Sequence, residues 1–267
     1  MSTTLSTPNR TIDISSTPGV PMSTLVRVEA RKGFDTRAGR WFAGTVLALV
    51  LLDTVLGGLF FPEESQTYVE LLSLSGGMLA YFLPVLMILL VTSEWSQRTG
   101  LATFTLEPRR SRVVTAKLLA GAGISLVVLL IAMVIAVGGT LLGALDGSEV
   151  VWSITGGELW SFAFTSLIGV FVGFALAMLV RNSAAAIVGY FVYTIILPTI
   201  VGVLGSLVGW IDSIGPWVEF NTAQTPLITG DYQASAEQWG QILVSGVLWV
   251  VLPVVLGVVR LVRAEVK

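Results

Sequence analysis

The sequence contains no cysteine and no histidine. Without cysteine the chain forms no disulfide, offers no thiolate nucleophile and builds no cysteine-based metal site. Without histidine it lacks the commonest catalytic base and metal ligand, and the side chain that titrates near neutral pH. Rhomboid-like and zinc-dependent intramembrane proteases need a histidine, and no pair of buried acids stands ready for aspartyl chemistry. We therefore predict that the chain is not an enzyme.

Charge is also scarce. Charged residues make up 12% of the 267 residues, hydrophobic residues make up 54%, and the mean hydropathy is +0.84. A soluble domain carries about a quarter charged residues, so this composition indicates a protein of the lipid bilayer. Six apolar runs approach or exceed the roughly 20 residues that a helix needs to cross the hydrocarbon core. They cover residues 41–61, 69–92, 118–145, 159–180, 184–209 and 242–259. The predicted fold is an all-α integral membrane domain with six transmembrane helices.

Positive charge is missing from every second loop. All 15 Lys and Arg residues fall on one side of the predicted spans: Arg10, Arg27, Arg31, Lys32, Arg37, Arg40, Arg98, Arg109, Arg110, Arg112, Lys117, Arg181, Arg260, Arg263 and Lys267. The charged residues of the opposite loops are acids: Glu63, Glu64, Glu70, Asp146, Glu149, Glu158, Asp212, Glu219, Asp231 and Glu237. The positive-inside rule therefore predicts six crossings of the plasma membrane with both termini in the cytoplasm.

The chain outside the six-helix domain (41–260) is short. Residues 1–23 are rich in Ser, Thr and Pro, and we expect a disordered cytoplasmic tail; residues 261–267 form a second tail. The sequence pattern of residues 24–40 predicts an amphipathic helix, because Val26, Ala30, Phe34 and Ala38 form one apolar stripe. Such a helix lies in the headgroup layer with its cations, Lys32 among them, near anionic lipid. A positively charged flank that only sets orientation fits the same residues.

The loop between the second and third spans, residues 93–117, is the most distinctive segment. Glu94 and Arg98 are spaced i,i+4 in the favourable order, which predicts that the second helix continues beyond the membrane surface. Pro108 ends the segment that follows, because the residue before a proline avoids the α region. Ser111 is expected to cap the third span. The loop is therefore predicted to form a compact, structured segment in the cytosol, although an ordinary loop whose arginines bind lipid phosphates also fits.

The stretch "EWSQRTGLATFTLEPRRSRVVTAK" resembles the same loop of type-2 ATP-binding-cassette (ABC) transporter permeases. In that family an acidic residue lies at the end of the second helix, and a short coupling helix follows. A Pro-Arg element and a lysine then lie at the start of the third helix. The corresponding residues here are Glu94, Arg98, Thr99, Leu101, Thr103, Pro108, Arg109, Ser111, Arg112 and Lys117. The stretch "LVRVEARKGFDTRAGRW" resembles the family's amphipathic connecting helix. Six helices with both termini inside agree as well, so the resemblance covers nearly the whole chain.

The resemblance implies the permease subunit of an ABC exporter. Its implied partners are a separate cytoplasmic ATPase, which carries ATP and Mg, a second permease copy or paralogue, and membrane lipid; no cofactor on this chain and no nucleic acid are implied. The sequence is consistent, because a P-loop needs Gly-Lys followed by Ser or Thr, and the three lysines follow Arg31, Ala116 and Val266. The resemblance implies coupling through Leu101, Phe104 and Leu106 as buried contacts, Arg109 and Arg110 as the rim, and Glu94, Arg98 and Pro108 around them.

Asp53 is the one ionisable residue predicted deep in a span. A carboxylate there must face a cavity, find a partner or stay protonated, so we expect either a wall of the substrate pathway or polar packing between helices. Lipids, amphipathic drugs and peptides suit an apolar pathway equally well. Residues 210–240 form a long outer loop, and the resemblance implies short re-entrant helices that cap the pathway there; a plain interfacial loop is the alternative.

Other functions and packing features remain open on the sequence. A secondary transporter built from inverted three-helix halves fits the matching positions of Pro84 and Pro198. A membrane scaffold or immunity protein fits as well, and it predicts that the 93–117 loop tolerates substitution. Residues 169–173 and 205–209 each have the small-x3-small glycine spacing that permits close helix packing.

Overall fold

The computed structural model describes residues 19–35, 37–62, 66–97, 103, 105, 107, 109–147, 149–229 and 233–263. These residues are almost entirely helical. The helices are α1 (Met22–Asp35), α2 (Arg37–Phe60), α3 (Tyr68–Ser96), α4 (Arg110–Gly143), α5 (Gly156–Val180), α6 (Ser183–Leu207), α7 (Gly209–Val218), α8 (Phe220–Ile228) and α9 (Ala236–Arg263).

Six of these helices are long and apolar enough to cross a membrane: α2, α3, α4, α5, α6 and α9. They coincide with the six predicted spans, and the all-α membrane fold is confirmed. Two helices extend well past their apolar runs: α3 continues to Ser96, and α4 already begins at Arg110. The predicted cap of α4 is wrong, because Arg109 occupies the capping position and makes no side-chain capping bond.

Helices α3 and α5 form the centre of the bundle. Half of the apolar stretch of α3 (50%) is buried, against 11% for α6. The two central helices approach closely because α5 carries glycine at the contact: a Cβ on Gly173 would lie 2.7 Å from the carbonyl oxygen of Pro84. The close packing predicted for residues 169–173 is therefore confirmed. For residues 205–209 it holds for one glycine: a Cβ on Gly205 would lie 3.4 Å from the Cα of Asp212 on α7, whereas a Cβ on Gly209 meets no described atom within 4 Å.

Pro84 leaves a free carbonyl inside α3. A proline lacks the N–H that would bond to the carbonyl four residues earlier, which here belongs to Ala80. The hydroxyl of Tyr190, on α6, donates to the carbonyl oxygen of Ala80 at 2.7 Å. The proline break thereby becomes a contact between α3 and α6.

Helices α6 and α9 adapt to their prolines in a different way. Each contains a π-helical turn, at Val192–Ile196 and Val247–Val251, and each turn ends directly before a Leu-Pro pair that contains Pro198 or Pro253. Wider turns of this kind are a recognised cause of bends in helices. Both helices therefore have a local irregularity near mid-length.

The two ends of the bundle differ in their residues. At one end, the guanidinium of Arg112 donates to the carbonyl oxygen of Val20, and that of Arg110 donates to the carbonyl oxygen of Leu261. The start of α1, the start of α4 and the last turn of α9 therefore meet there, and we call it the charged end. Helices α7 and α8 lie between α6 and α9 at the opposite end, which we call the acidic end.

Candidate functional site

Four charged side chains from three helices meet inside the charged end. Helix α1 supplies Glu29 and Lys32, α3 supplies Glu94, and α4 supplies Lys117. The ammonium of Lys117 lies 2.6 Å from Glu29 Oε2 and 3.4 Å from Glu94 Oε1. The ammonium of Lys32 lies 2.6 Å from Glu29 Oε1 and 3.1 Å from Glu94 Oε1. We call these four residues the charge network.

The charge network is almost completely enclosed. Lys117 and Glu94 are each 2% exposed and Glu29 is 4% exposed, while the Lys32 side chain is 33% exposed. Moving an ion out of water costs several kcal/mol after relaxation, and only close, well-placed partners offset that cost. Two carboxylates face two ammonium groups here, so the network is neutral as a set. Removing any one member leaves an uncompensated charge in the interior.

The surroundings of Lys32 keep it protonated. Burial by itself lowers the pKa of Lys32, but the hydrogen bonds and negative charges of Glu29 and Glu94 outweigh burial and raise the pKa above its ordinary value of 10.5. A raised lysine pKa contributes stability that is fully present below pH 10.5 and is lost as the pH rises past that value. Lys32 is therefore protonated at every physiological pH.

Local sequence explains how the network assembles. In α1, Val26 and Ala30 pack against the core, and Glu29 follows Val26 by three residues, which puts it beside the same face. Helix α3 reaches Glu94 only because it continues beyond its apolar run, and α4 includes Lys117 only because it begins early. The helix extensions beyond the predicted spans are thus the segments that carry the ions.

The network also contacts the loop between α3 and α4. The Lys32 ammonium lies 3.4 Å from the hydroxyl oxygen of Thr103. Closer to α4, the Arg112 guanidinium pairs with Glu107 Oε2 at 2.8 Å, and the backbone N–H of Arg109 donates to Glu107 Oε1 at 3.3 Å. The loop is therefore held at its middle by the network and at its end by α4.

The structure tests the location of some predicted coupling residues. Glu94 is buried in the charge network, where its Oε2 has no hydrogen-bond partner among the described residues. Arg109 is exposed, and Arg110 contacts the last turn of α9. Five predicted coupling residues lie outside the described residues, and their contacts stay predictions: Arg98, Leu101, Phe104, Leu106 and Pro108.

Sequence reasoning missed most of the network. Glu29 received no role, Lys117 entered only through the family resemblance, and Lys32 was expected to face anionic lipid. The Lys32 ammonium is held by Glu29 and Glu94 and a third of its side chain is exposed, so its expected place near anionic lipid stays a prediction. One available signal was Glu29 itself, an acid beside the apolar stripe of a helix that carries three cations.

Another enclosed carboxylate lies at the acidic end. Glu219 joins α7 to α8 and is 0% exposed. Its Oε1 accepts hydrogen bonds from the backbone N–H of Asn221 at 2.9 Å and from the side-chain amide at 3.0 Å. Its Oε2 accepts from the backbone N–H and the hydroxyl of Thr222, both at 2.6 Å. The positive end of the α8 dipole adds to this stabilisation.

The turn between α7 and α8 is attached to both irregular spans. The side-chain amide of Asn221 donates to the carbonyl oxygen of Tyr193 at 3.2 Å, and the indole N–H of Trp249 donates to the carbonyl oxygen of Val218 at 2.8 Å. Tyr193 and Trp249 lie in the two π-helical turns, and their rings are 4.8 Å apart. The α7–α8 pair is thus a helical hairpin attached to the π-helical turns of α6 and α9, as opposed to a plain interfacial loop.

Asp53 occupies a half-buried position in the middle of α2. Its Oδ2 is enclosed and has no hydrogen-bond partner among the described residues. The next residue, Thr54, shares a hydrogen bond of 3.0 Å with Ser75 on α3, so the polar contact between these helices does not involve Asp53. A place for Asp53 on a substrate pathway stays a prediction.

No protein-family model matches the chain, and no curated protein sequence matches it.

Proposed function

We propose that this chain is the transmembrane permease subunit of an ABC exporter, with its charged end in the cytoplasm and a separate ATPase docked on the 93–117 loop. The observation that carries the proposal is the charge network at the base of that loop. The proposal also draws on the resemblance of the loop to that of type-2 ABC permeases, and on the alternation of Lys and Arg with acids across the six spans.

The charge network suits the transmission of force from the loop to the membrane. Glu94 near the end of α3 pairs with Lys32 of α1, Lys117 near the start of α4 pairs with Glu29 of α1, and Glu94 and Lys117 pair with each other. Separating buried ions from their partners has a large free-energy cost, so a force applied to the loop moves the three helix ends together. Closure of the ATPases around ATP then tilts α3 and α4 as a unit. A loop without these ion pairs would bend without moving the two helices.

The exposed surface of the bundle supports assembly in pairs. Only 11% of the apolar stretch of α6 is buried within the chain, and that of α2 is 28% buried. A second permease copy or a paralogue covers part of these faces in the proposed transporter, and lipid covers the rest. The pathway then lies between the two permease chains, with the α7–α8 hairpin at its outer end and Asp53 on its wall.

The experiment is co-purification of the tagged chain from its native membrane in mild detergent. We expect a stoichiometric soluble subunit that carries a P-loop and hydrolyses ATP. Leu101→Asp or Phe104→Asp should abolish recovery of that subunit and uncouple ATP hydrolysis from transport, while the permease itself remains in the membrane. The matched control is Val151→Asp, which changes an exposed apolar residue at the acidic end and should retain the subunit.

Two results would reject the proposal in different ways. Normal transport and normal recovery of the ATPase by both loop variants would refute coupling through this loop. A wild-type chain that purifies without any ATPase and still transports would refute the ABC assignment. The ion-coupled transporter would then take its place, and Asp53→Asn would be the first variant to examine.

A further inference from the structure

An apolar cavity of about 440 Å³ lies between the first four helices. Each helix contributes to its wall, for example Phe34 of α1, Val50 of α2, Leu83 of α3 and Ile131 of α4. Small-molecule sites in proteins occupy about 300–1,000 Å³, so the cavity is large enough for a ligand. All the residues that line it are apolar. The described wall residues have no polar side-chain atom, so the cavity suits a hydrocarbon group.

A smaller and more polar cavity of about 160 Å³ adjoins the first. The two share wall residues: Phe34, Phe42, Leu86 and Ile124. The polar cavity is lined in addition by Lys32, Ser93, Ser96, Gln97 and Ser183. Along α3 the wall of the first cavity ends at Leu86, and that of the second continues past Leu89 and Leu90 to Ser93, Ser96 and Gln97, at the charged end. The joined cavities therefore change from apolar to polar in one direction.

The position of the cavities corresponds to one leaflet of a membrane. The apolar wall extends along α4 from Leu119 to Ile135, about 24 Å of helix. The hydrocarbon half of a bilayer is about 15 Å thick. The wall on α2, from Phe42 to Val50, is about 12 Å of helix and matches that depth, the wall on α4 extends further, and the second cavity lies on the side of the charged end. Leu47 on α2 and Val127 on α4 belong to the wall and are 43% and 56% exposed. The cavity thus opens sideways, between α2 and α4, to the surrounding lipid.

We propose that this groove binds one phospholipid of the leaflet at the charged end. One acyl chain occupies the apolar cavity, and the phosphate lies at the mouth of the polar cavity near the Gln97 amide and the exposed part of Lys32. The polarity of the two cavities is that of an amphiphile with its headgroup toward the charged end. The proposal does not depend on an ATPase, because it rests on the cavities alone.

Filling the cavity tests the proposal. Gly123 lines the apolar cavity, and a Cβ there meets no described atom within 4 Å, so Gly123→Trp adds bulk without disturbing α4. Gly138 lies on the same helix, outside the cavity, and a Cβ there is equally unobstructed, which makes Gly138→Trp the matched control. From the opposite wall, Ala43→Phe enters the cavity and Gly44→Phe, one residue later, does not.

The measurement is native mass spectrometry of the purified chain in mild detergent, with a phosphorus assay on the same sample. We expect about one tightly held phospholipid per chain in the wild type and in both control variants, and its loss in Gly123→Trp and Ala43→Phe. Equal retention in all five proteins, or none in the wild type, would overturn the proposal. Retention of a fatty acid without phosphorus would overturn the phospholipid assignment, and a change from dimer to monomer in the cavity variants alone would show that a second copy covers the groove.

Discussion

The two ends of the bundle enclose carboxylates in different ways. At the charged end, Glu29 and Glu94 pair with two lysines, and the hydrogen bonds join residues 62 and 88 positions apart. At the acidic end, Glu219 takes its four hydrogen bonds from residues two and three positions later, and all four donors are neutral. The first arrangement connects three helices, whereas the second shapes one turn.

The difference matters for function. A locally satisfied acid fixes the shape of the turn between α7 and α8 without help from distant helices, and one hydrogen bond each attaches that turn to α6 and α9. A network across α1, α3 and α4 exists only while those helices keep their relative positions. The charged end is therefore the part in which a change of helix arrangement has an ionic cost, as a coupling region requires.

The largest effect is expected from Lys117→Met. The substitution leaves Glu29 and Glu94 enclosed with Lys32 as their only ammonium partner within the network, and breaking a buried pair costs about 3–5 kcal/mol. The free energy of unfolding in detergent measures the loss. The double variant Lys117→Met/Glu29→Gln restores neutrality and should recover more than half of it. An equal loss in the single and double variants would show that charge balance does not stabilise the network.

A smaller loss is expected from Glu219→Gln. The glutamine keeps the shape but points an N–H₂ group at donors, so at least one buried hydrogen bond is lost, worth about 1–3 kcal/mol. Glu237→Gln, at an exposed position in the first turn of α9, is the control and should leave the free energy of unfolding nearly unchanged. A loss as large as that of Lys117→Met would contradict the contrast between the two ends.

An intermediate pair lies on the loop itself. The side chains of Arg112 and Glu107 are 23% and 9% exposed, so water partly screens their attraction. Glu107→Gln removes the charge and preserves an acceptor for the Arg109 N–H, and we expect a loss of about 1 kcal/mol. Thermal unfolding should show a small decrease in the transition temperature, and Arg109→Met, an exposed change two residues away, should show none. A decrease matching that of Lys117→Met would place this pair in the network.

The smallest effect is expected at the surface of α1. Arg31 Nε lies 3.8 Å from Asp35 Oδ1, and the two side chains are 80% and 65% exposed. Exposed pairs of this kind contribute roughly 0–1 kcal/mol, so Asp35→Asn should change the free energy of unfolding by less than any variant above. If Asp35→Asn lowered the free energy of unfolding as much as Glu107→Gln, the exposed fraction of an ion pair would not predict its contribution to stability in this protein.

The fold was largely predictable because its signals are local. A run of about 20 apolar residues identifies a span without knowledge of its neighbours, and all six spans were found. Glycine spacing predicted close packing correctly at residues 169–173, where Pro84 lies opposite. At 205–209 only Gly205 meets another helix, since spacing alone does not say which face is covered.

The candidate site was less predictable because its members are distant in sequence. Glu94 was identified from its place at the end of α3, yet its partners Lys32 and Lys117 depend on the packing of α1 against α3 and α4. The π-helical turns were missed for a related reason. Pro198 and Pro253 predict a bend, but the backbone bonding that accommodates a proline depends on the surrounding helices.

The coupling proposal is tested most directly by cross-linking from a single thiol. The chain has no cysteine, so Arg109→Cys creates a unique reactive group on the exposed part of the loop, and Ser153→Cys does so at the acidic end. We predict that a short thiol–amine cross-linker joins Arg109→Cys, and not Ser153→Cys, to a P-loop ATPase in native membranes, with a yield that changes when ATP is added. Failure of Arg109→Cys to capture any ATPase, or capture from Ser153→Cys alone, would contradict the account.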